Sequence, residues 1–141
     1  MTRYLLDTNI ISHLMREPLG QLQQTLRQRV TAPGGCEITT SAVVQCELLY
    51  GIQRKASARL KTAYDVQMRH LDVLPLEPAV GPHYARLRTE LERMGKPLSP
   101  NDLLIAAHAI AANATLVSGD SAFGQVPGLA WENWLVAADR V

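Results

Sequence analysis

Strand-like segments alternate with helical patterns along this 141-residue chain, and the alternation constrains the fold more than any other feature. The strand-like segments cover residues 3–7, 36–40, 73–76 and 115–118, with a last one near 130–134. Between them, apolar residues recur at the three- and four-residue spacing of amphipathic helices. Strands that alternate with helices form a parallel sheet with helices on both faces. The sequence therefore predicts an α/β protein, a three-layer α/β/α sandwich with a mainly parallel central sheet.

Length and composition favour one soluble domain, which we expect to span residues 1–141. The chain is 47% hydrophobic and contains no repeat, linker or low-complexity run. Its longest apolar stretch, 103–112, is too short to span a bilayer, and the N-terminus lacks a signal-peptide hydrophobic segment. Cys36 and Cys46 lie among apolar neighbours, and we expect both to be reduced core residues. These features predict a cytoplasmic protein without membrane association.

The histidines do not form a recognisable motif. Three of them share no spacing with one another or with the acidic residues: His13, His70 and His83. Neither a zinc motif nor a Ser-His-Asp triad is therefore indicated. His108 lies inside an apolar helix, and we expect it to be a hydrogen-bonded core or rim residue.

Four acidic residues stand where this fold would bring them together. Asp7 and Asp120 each follow a strand-like segment. Asp102 opens a helix, and Glu47 lies within the first two turns of a helix that follows a strand. In open parallel sheets ligands bind beyond the carboxyl ends of the strands, where the following helices also begin. The four carboxylates are therefore predicted to line one crevice.

Three of these acids also have a structural explanation that needs no ligand. Asp7 could cap the first helix, Asp102 could form a capping box with Ser99, and Asp120 could serve a turn. Glu47 is harder to explain, because no basic residue lies within one turn on its helix face. That face is predicted to be apolar, with Val43, Val44, Tyr50 and Gly51.

Clustered carboxylates without thiols or imidazoles favour hard cations such as Mg²⁺ or Mn²⁺. A divalent ion held in this way can bind a phosphate, lower the pKa of a bound water and stabilise the charge of an in-line attack. The pattern points to phosphodiester hydrolysis. A net charge of +1 neither supports nor excludes a nucleic-acid partner. The densest basic cluster is either a solvated helix face or a phosphate-contacting rim: Arg54, Lys55, Arg59 and Lys61.

With these positions in place, the chain resembles the PIN-domain family over essentially its whole length, and within it the VapC-type toxins of bacterial toxin–antitoxin pairs. Four motifs in order carry the resemblance: Leu5-Leu6-Asp7-Thr8-Asn9, the segment from Ser41 through Glu47 to Gly51, Pro100-Asn101-Asp102, and Ser118-Gly119-Asp120. The resemblance implies catalytic and metal-binding roles for four residues: Asp7, Glu47, Asp102 and Asp120. It implies supporting roles for Thr8, Asn9 and Ser118. The chain departs from the family pattern at Gly119, where a longer polar side chain is usual, and at Ala122.

The resemblance also implies an activity and partners. The implied activity is that of a Mg²⁺-dependent endoribonuclease, with Mn²⁺ as an alternative ion. Such an enzyme cleaves structured RNA such as a tRNA and thereby inhibits translation and growth. A cytoplasmic homodimer would be held inactive by a small VapB-type antitoxin, through which it would reach promoter DNA. Two alternatives stay open: a catalytically weak regulatory subunit that acts through this partner, and a nuclease for DNA flaps, although the helical arch of flap nucleases is absent from so short a chain.

Overall fold

The computed structural model describes residues 1–135, and the last six residues of the predicted domain lie outside this range. Its strands are β1 (Thr2–Leu6), β2 (Cys36–Ser41), β3 (Asp72–Leu74), β4 (Thr115–Val117) and β5 (Trp131–Glu132). They form one sheet in the order β3-β2-β1-β4-β5. All four neighbouring pairs are parallel, which confirms the predicted sheet.

The connections between the strands are mainly helical, as the periodicity predicts. The helices are α1 (Thr8–Arg16), α2 (Gln21–Thr31), α3 (Ala42–Lys55), α4 (Ala58–Met68), α5 (Val80–Arg93) and α6 (Pro100–Ala111). A short 3₁₀ helix at Ser121–Gln125 joins β4 to β5. Within residues 1–135, no helix has the length and apolar composition that a membrane span requires.

Both faces of the sheet are covered at its centre. Leu5 and Leu6 of β1, and Leu116 and Val117 of β4, are fully buried. Because successive side chains of a strand point to opposite faces, buried neighbours require packing on both sides. The predicted three-layer α/β/α arrangement is therefore confirmed. Helix α6 is buried on most sides, as its apolar sequence predicts, and it packs closely against α5.

The buried stripe of α3 differs from the prediction. It consists of Val44, Leu48 and Ile52 at a regular four-residue spacing. Tyr50, predicted to be on this stripe, is 65% exposed. Glu47 is partly buried and lies beside the stripe rather than within it. The apolar face was assigned wrongly because three- and four-residue spacings fit two overlapping faces of this largely apolar helix.

The two cysteines that were predicted to be core residues differ in burial. Cys46 is exposed on the outer side of α3, whereas Cys36, at the start of β2, is partly buried. The expectation of two core cysteines is therefore wrong for Cys46.

The order of the strands places a crevice beside β1. From β1 the chain moves to β2 and β3 on one side, and it then returns through α5 and α6 to β4 on the other side. This reversal is the topological switch point of an open α/β sheet, where ligands bind beyond the carboxyl ends of the strands. Asp7 directly follows β1, and Ser118 directly follows β4. The sheet therefore brings the first and last sequence motifs together.

Candidate active site

The four predicted acids line one hollow of about 340 Å³ at the carboxyl edge of the sheet. Its lining residues are Asp7, Thr8, Asn9, Ser12, Arg16, Glu47, Asp102 and Asp120. The structure thus brings together every predicted site residue except Ser118. Ser118 is fully buried and supports the hollow through a hydrogen bond to Asp7.

Asp7 lies at the bottom of the hollow and also caps α1, as its sequence position allowed. As the N-cap of α1, it accepts a 2.8 Å hydrogen bond from the Thr8 backbone N–H through Oδ1. Its Oδ2 accepts a 2.7 Å bond from the Ser118 hydroxyl and a longer one, 3.4 Å, from the Asn9 amide. The side chain is held on both oxygens, and the residue is only 4% exposed.

The electrostatic environment of Asp7 disfavours its charged form. Burial raises the pKa of the carboxyl to about 6, against the opposing effect of the hydrogen bonds from Ser118 and Thr8. The negative charges of Asp102 and Glu47 raise this pKa further. Among residues 1–135, no basic side chain forms an ion pair with Asp7. A cation in the hollow would therefore relieve an unfavourable buried charge.

Asp102 reaches the hollow from the first turn of α6. Ser99 caps this helix and accepts a 3.2 Å hydrogen bond from the Asp102 backbone N–H, and Pro100 occupies the first turn. Burial raises the pKa of the Asp102 carboxyl, a hydrogen bond with Ser99 lowers it, and the charges of Asp120 and Glu47 raise it. Asp7, Glu47 and Asp102 therefore repel one another across the hollow, and Asp120 repels Asp102.

Glu47 is held by neutral hydrogen-bond donors, and no basic side chain within residues 1–135 forms an ion pair with it. Its Oε1 accepts a 2.7 Å hydrogen bond from the Thr8 hydroxyl, and its Oε2 accepts a weak 3.5 Å bond from the Asn101 amide. Ser41 caps α3 by accepting a hydrogen bond from the Val43 N–H. The glutamate is thereby connected to the start of α1 and to the first turn of α6.

Asp120 also combines a turn role with a place in the hollow. It caps the 3₁₀ helix by accepting a 2.9 Å hydrogen bond from the Ala122 N–H. Its own N–H donates to the Ser118 hydroxyl oxygen at 3.1 Å. Since Asp120 lines the hollow and raises the pKa of Asp102, its carboxylate faces the other acids. The turn explanation is confirmed for this residue, and its metal-binding role stays a prediction.

Ser118, which follows β4, connects the ends of β1 and β4 through the hydrogen bonds of its hydroxyl. Its hydroxyl donates to Asp7 Oδ2 and accepts from the Asn9 amide at 3.2 Å as well as from the Asp120 N–H. The hydroxyl is thus fully used, and it fixes the first and fourth acids relative to each other. This contact network accounts for the supporting roles predicted for Asn9 and Ser118.

Gly119, a departure from the family pattern, lies against the end of the described chain. Its N–H donates a 3.0 Å hydrogen bond to Asn9 Oδ1. A Cβ atom at this position would lie 2.6 Å from Cδ1 of Leu135. Leu135 therefore occupies the space that a longer side chain would need.

Sequence reasoning missed two residues of the hollow, Ser12 and Arg16. Both lie on α1, and with Thr8 they repeat every four residues along one helix face. Extending the predicted role of Thr8 along this period would have found them. Arg16 is the one basic residue that lines the hollow within residues 1–135, and the other charged lining residues are the four acids.

The donor set fits a hard divalent cation. Four carboxylates, two hydroxyls and one amide surround the hollow, which is the oxygen-rich environment that Mg²⁺ and Mn²⁺ select. In residues 1–135, no three carboxylate, imidazole or thiol groups already stand close enough together to coordinate one ion. Coordination by three carboxylates would therefore require their side chains to turn inward, as expected for acids that repel one another without a cation.

His108 lies away from the hollow and has a structural role, as predicted. It is buried, and its Nδ1 lies 2.7 Å from the Ser41 hydroxyl. Burial lowers the pKa of His108, although the Pro75 carbonyl and the Glu77 charge act in the opposite direction. The histidine thus joins α6 to the cap of α3.

A larger cavity of about 550 Å³ lies elsewhere, between α2, α4 and the strands β2 and β3. Its walls include Leu14, Leu26 and Ile38, and its carboxylates are Glu37 and Asp72. Glu37 forms a 2.6 Å ion pair with Arg3. Because chemistry depends on converging polar groups rather than on volume, the smaller acid-lined hollow is the candidate active site.

Comparisons with known proteins agree with the fold and the motifs. The PIN domain family model matches residues 4–129. Ribonuclease VapC2 of Rickettsia felis is 35% identical over 133 residues, which cover 93% of this chain and 97% of that relative. The tRNA(fMet)-specific endonuclease VapC of Shigella flexneri is 31% identical, with coverage of 95% and 99%.

Solved structures give the same result. VapBC2 from Rickettsia felis, bound to a DNA fragment from their promoter, matches with a TM-score of 0.87 and 34% identity, covering 94% of this chain and 99% of that chain. VapBC-1 from nontypeable Haemophilus influenzae matches with a TM-score of 0.80 and 27% identity, covering 95% and 99%. The chain therefore belongs to the PIN-domain family, in its VapC branch.

Proposed function

We propose that this protein is a Mg²⁺-dependent endoribonuclease, the toxin of a VapBC-type toxin–antitoxin pair. The observation that carries the proposal is the buried Asp7 carboxylate, which lacks an ion-pair partner among residues 1–135 and faces three further acids in one hollow. The names of the relatives, ribonuclease VapC2 and tRNA(fMet)-specific endonuclease VapC, support RNA as the substrate class. We propose a structured RNA, with tRNA as the first candidate, whose cleavage inhibits translation and growth.

The residues that would hold the ion are the four acids, Asp7, Glu47, Asp102 and Asp120. When bound, Mg²⁺ or Mn²⁺ supplies a Lewis acid that binds the scissile phosphate and lowers the pKa of a bound water. Ser118 and the Thr8 N–H orient the Asp7 carboxylate, and the Thr8 hydroxyl orients Glu47. Such fixed orientation lowers the cost of assembling the site, as outer hydrogen bonds do for metal ligands in general.

The structural neighbours support the choice of an antitoxin as partner. Because one neighbour is VapBC2 bound to a fragment of their promoter, we propose a VapB-type antitoxin as the partner of this chain. Promoter DNA would be contacted through that antitoxin. We also propose that the toxin is a homodimer and acts in the cytoplasm, where its RNA substrate is found.

Cleavage of total cellular RNA by purified, antitoxin-free protein tests the proposal. We expect discrete products with Mg²⁺, none with EDTA, and a loss of at least about 100-fold for Asp7→Asn, which keeps the shape and the cap but removes one charge. Asp65→Asn is the matched control, because Asp65 is an exposed carboxylate on α4 that pairs with Lys61. This variant should cleave like the wild type.

Other results would contradict the proposal. Undiminished cleavage by Asp7→Asn, or cleavage that resists EDTA, would exclude the assigned metal site. No cleavage by any form would favour the alternative, a regulatory subunit that acts through its DNA-binding partner. Preference for DNA flaps over RNA would favour the other nuclease class.

A further inference from the structure

A second hollow of about 300 Å³ opens beside the acid-lined one, between α1 and α3. Four residues line both hollows: Thr8, Ser12, Arg16 and Glu47. The two hollows therefore form one continuous depression, which we name the α1–α3 groove. It leads from the acids to Lys55 in the last turn of α3, with Leu60 of α4 at its far end.

The length of the groove follows from helix geometry. Thr8 and Arg16 are eight residues apart on α1, and Glu47 and Lys55 are eight residues apart on α3. At about 1.5 Å per residue, each wall is about 12 Å long. This length matches about three nucleotides at the stacked spacing of about 3.4 Å. The groove can therefore take a short stretch of one nucleic-acid strand beyond the scissile phosphate.

Two cations of the groove have no counter-ion within the described residues. Arg16 and Lys55 line it, yet neither forms an ion pair or a side-chain hydrogen bond in residues 1–135. Five basic side chains elsewhere are paired: those of Arg3, Arg29, Lys61, Arg86 and Arg88. Six further basic residues of the described chain also lack an ion pair, but none of them lines either hollow: Arg27, Arg54, Arg59, Arg69, Arg93 and Lys96. An unpaired Arg and Lys beside a phosphodiester site are available for backbone phosphates.

The rest of the lining suits the sugar and base of a nucleotide. Apolar side chains form part of the wall: Met15, Leu48, Ile52 and Leu60. A Cβ atom at Gly51 would meet no atom within 4 Å, so the groove is open above this residue. The Ser12 hydroxyl makes no hydrogen bond within residues 1–135 and is free to bind a ribose hydroxyl.

We propose that the α1–α3 groove binds the RNA strand on one side of the scissile phosphate. Arg16 contacts a phosphate next to the acids, and Lys55 contacts one further along the strand. Charge complementarity and continuity with the acid-lined hollow single out a nucleic-acid strand as the occupant. The inference rests on the proposed function, because the acids define where the strand is cut.

RNA binding and cleavage by Arg16→Ala and Lys55→Ala test this inference. Binding of fluorescently labelled total tRNA is measured in the Asp7→Asn background, so that no RNA is cut. We expect each substitution to weaken tRNA binding about 5- to 10-fold. Each should also reduce the slope of log binding constant against log salt concentration by about one. With otherwise wild-type protein, Lys55→Ala should raise KM for RNA cleavage and leave kcat nearly unchanged.

The matched control is Arg54→Ala, since Arg54 is an exposed, unpaired neighbour of Lys55 that lines neither hollow. It should change binding less than 2-fold. An equal effect of Arg54→Ala and Lys55→Ala would overturn the inference, because the groove would then contribute only general charge. Melting temperatures of the three variants check that these surface changes preserve the fold.

Two further outcomes separate this inference from the proposed function. Normal RNA cleavage by the wild type, together with unchanged binding and KM in both groove variants, would overturn the groove and keep the ribonuclease. Loss of antitoxin binding with unchanged RNA binding would overturn it as well and assign the groove to the antitoxin. Absence of cleavage by the wild type, with groove-dependent tRNA binding, would support the groove and contradict only the nuclease.

Discussion

The hydroxyl of Thr8 donates a 2.7 Å hydrogen bond to Oε1 of Glu47 and so joins the first turn of α1 to the second turn of α3. The backbone N–H of the same threonine binds Asp7. One residue thus orients two of the four acids, which lie 40 positions apart in the sequence.

Replacing Thr8 by Val removes the hydroxyl and keeps the shape. We expect Mg²⁺ affinity and kcat/KM to fall about 10- to 100-fold, because an outer hydrogen bond no longer orients Glu47. The free energy of unfolding should change by only about 1 kcal/mol. Calorimetric titration measures the Mg²⁺ affinity, RNA cleavage measures kcat/KM, and urea unfolding measures the stability. Thr8→Ser should restore the activity, and equal activity of the Val and Ser variants would contradict the role.

Asp7→Asn should stabilise the metal-free protein at neutral pH. The pKa of Asp7 is raised to about 6 in the folded state from 3.8, so the folded state holds the proton more tightly. The resulting stabilisation is fully present below about pH 4 and is lost as pH rises through about 6. The loss is worth up to about 3 kcal/mol. In urea unfolding, the free energy of unfolding of the variant should exceed that of the wild type by about 1–3 kcal/mol at pH 7.5 and equal it near pH 4. A difference that does not change with pH would contradict this prediction.

Mg²⁺ binding should weaken in acid for the same reason. The ion must displace the proton from Asp7, so its affinity should fall about tenfold per unit below about pH 6 and change little above pH 7. Titration calorimetry at several pH values, with proton uptake measured from buffer dependence, checks this. An affinity that stays constant between pH 5 and pH 7 would show that Asp7 is not a ligand.

The buried pair of Ser41 and His108 should matter more for stability than an ordinary helix cap. Ser41→Ala removes the cap of α3 and also leaves His108 Nδ1 without its 2.7 Å partner. We expect a cost of about 2–4 kcal/mol, the sum of a lost cap and an unsatisfied buried group. Ser57→Ala is the matched control, since Ser57 caps α4 through one bond to Leu60, and it should cost about 1 kcal/mol. Equal costs in urea unfolding would show that the histidine contact adds nothing.

Much of the fold was predictable because each signal is local. Strand-like runs, the Ser41 and Ser99 caps and the position of Asp7 after β1 all depend on a few consecutive residues. The convergence of the acids was also predictable, because parallel strands share one carboxyl edge.

Other features depend on tertiary packing, which local sequence patterns do not indicate. The buried face of α3 depends on its rotation relative to the sheet, so Tyr50 and Cys46 were placed wrongly. The neutral donors of Glu47 come from two other helices, and no local pattern indicates them. Arg16 carried a usable signal, its four-residue spacing from Thr8 and Ser12, but an arginine near a helix end usually indicates only a solvated charge.

Asp7 and Asp120 each cap a helical segment at the edge of the hollow, so the same carboxylate starts an element of structure and belongs to the proposed catalytic centre. Asparagine caps a helix about as well as aspartate, whereas alanine does not. Asparagine at either position would leave the start of the helix intact and remove the charge. When a harmful enzyme is expressed in bacteria, the cells that survive carry inactive variants of it. Among survivors that still accumulate folded protein, asparagine should therefore be far more frequent than alanine at these two positions.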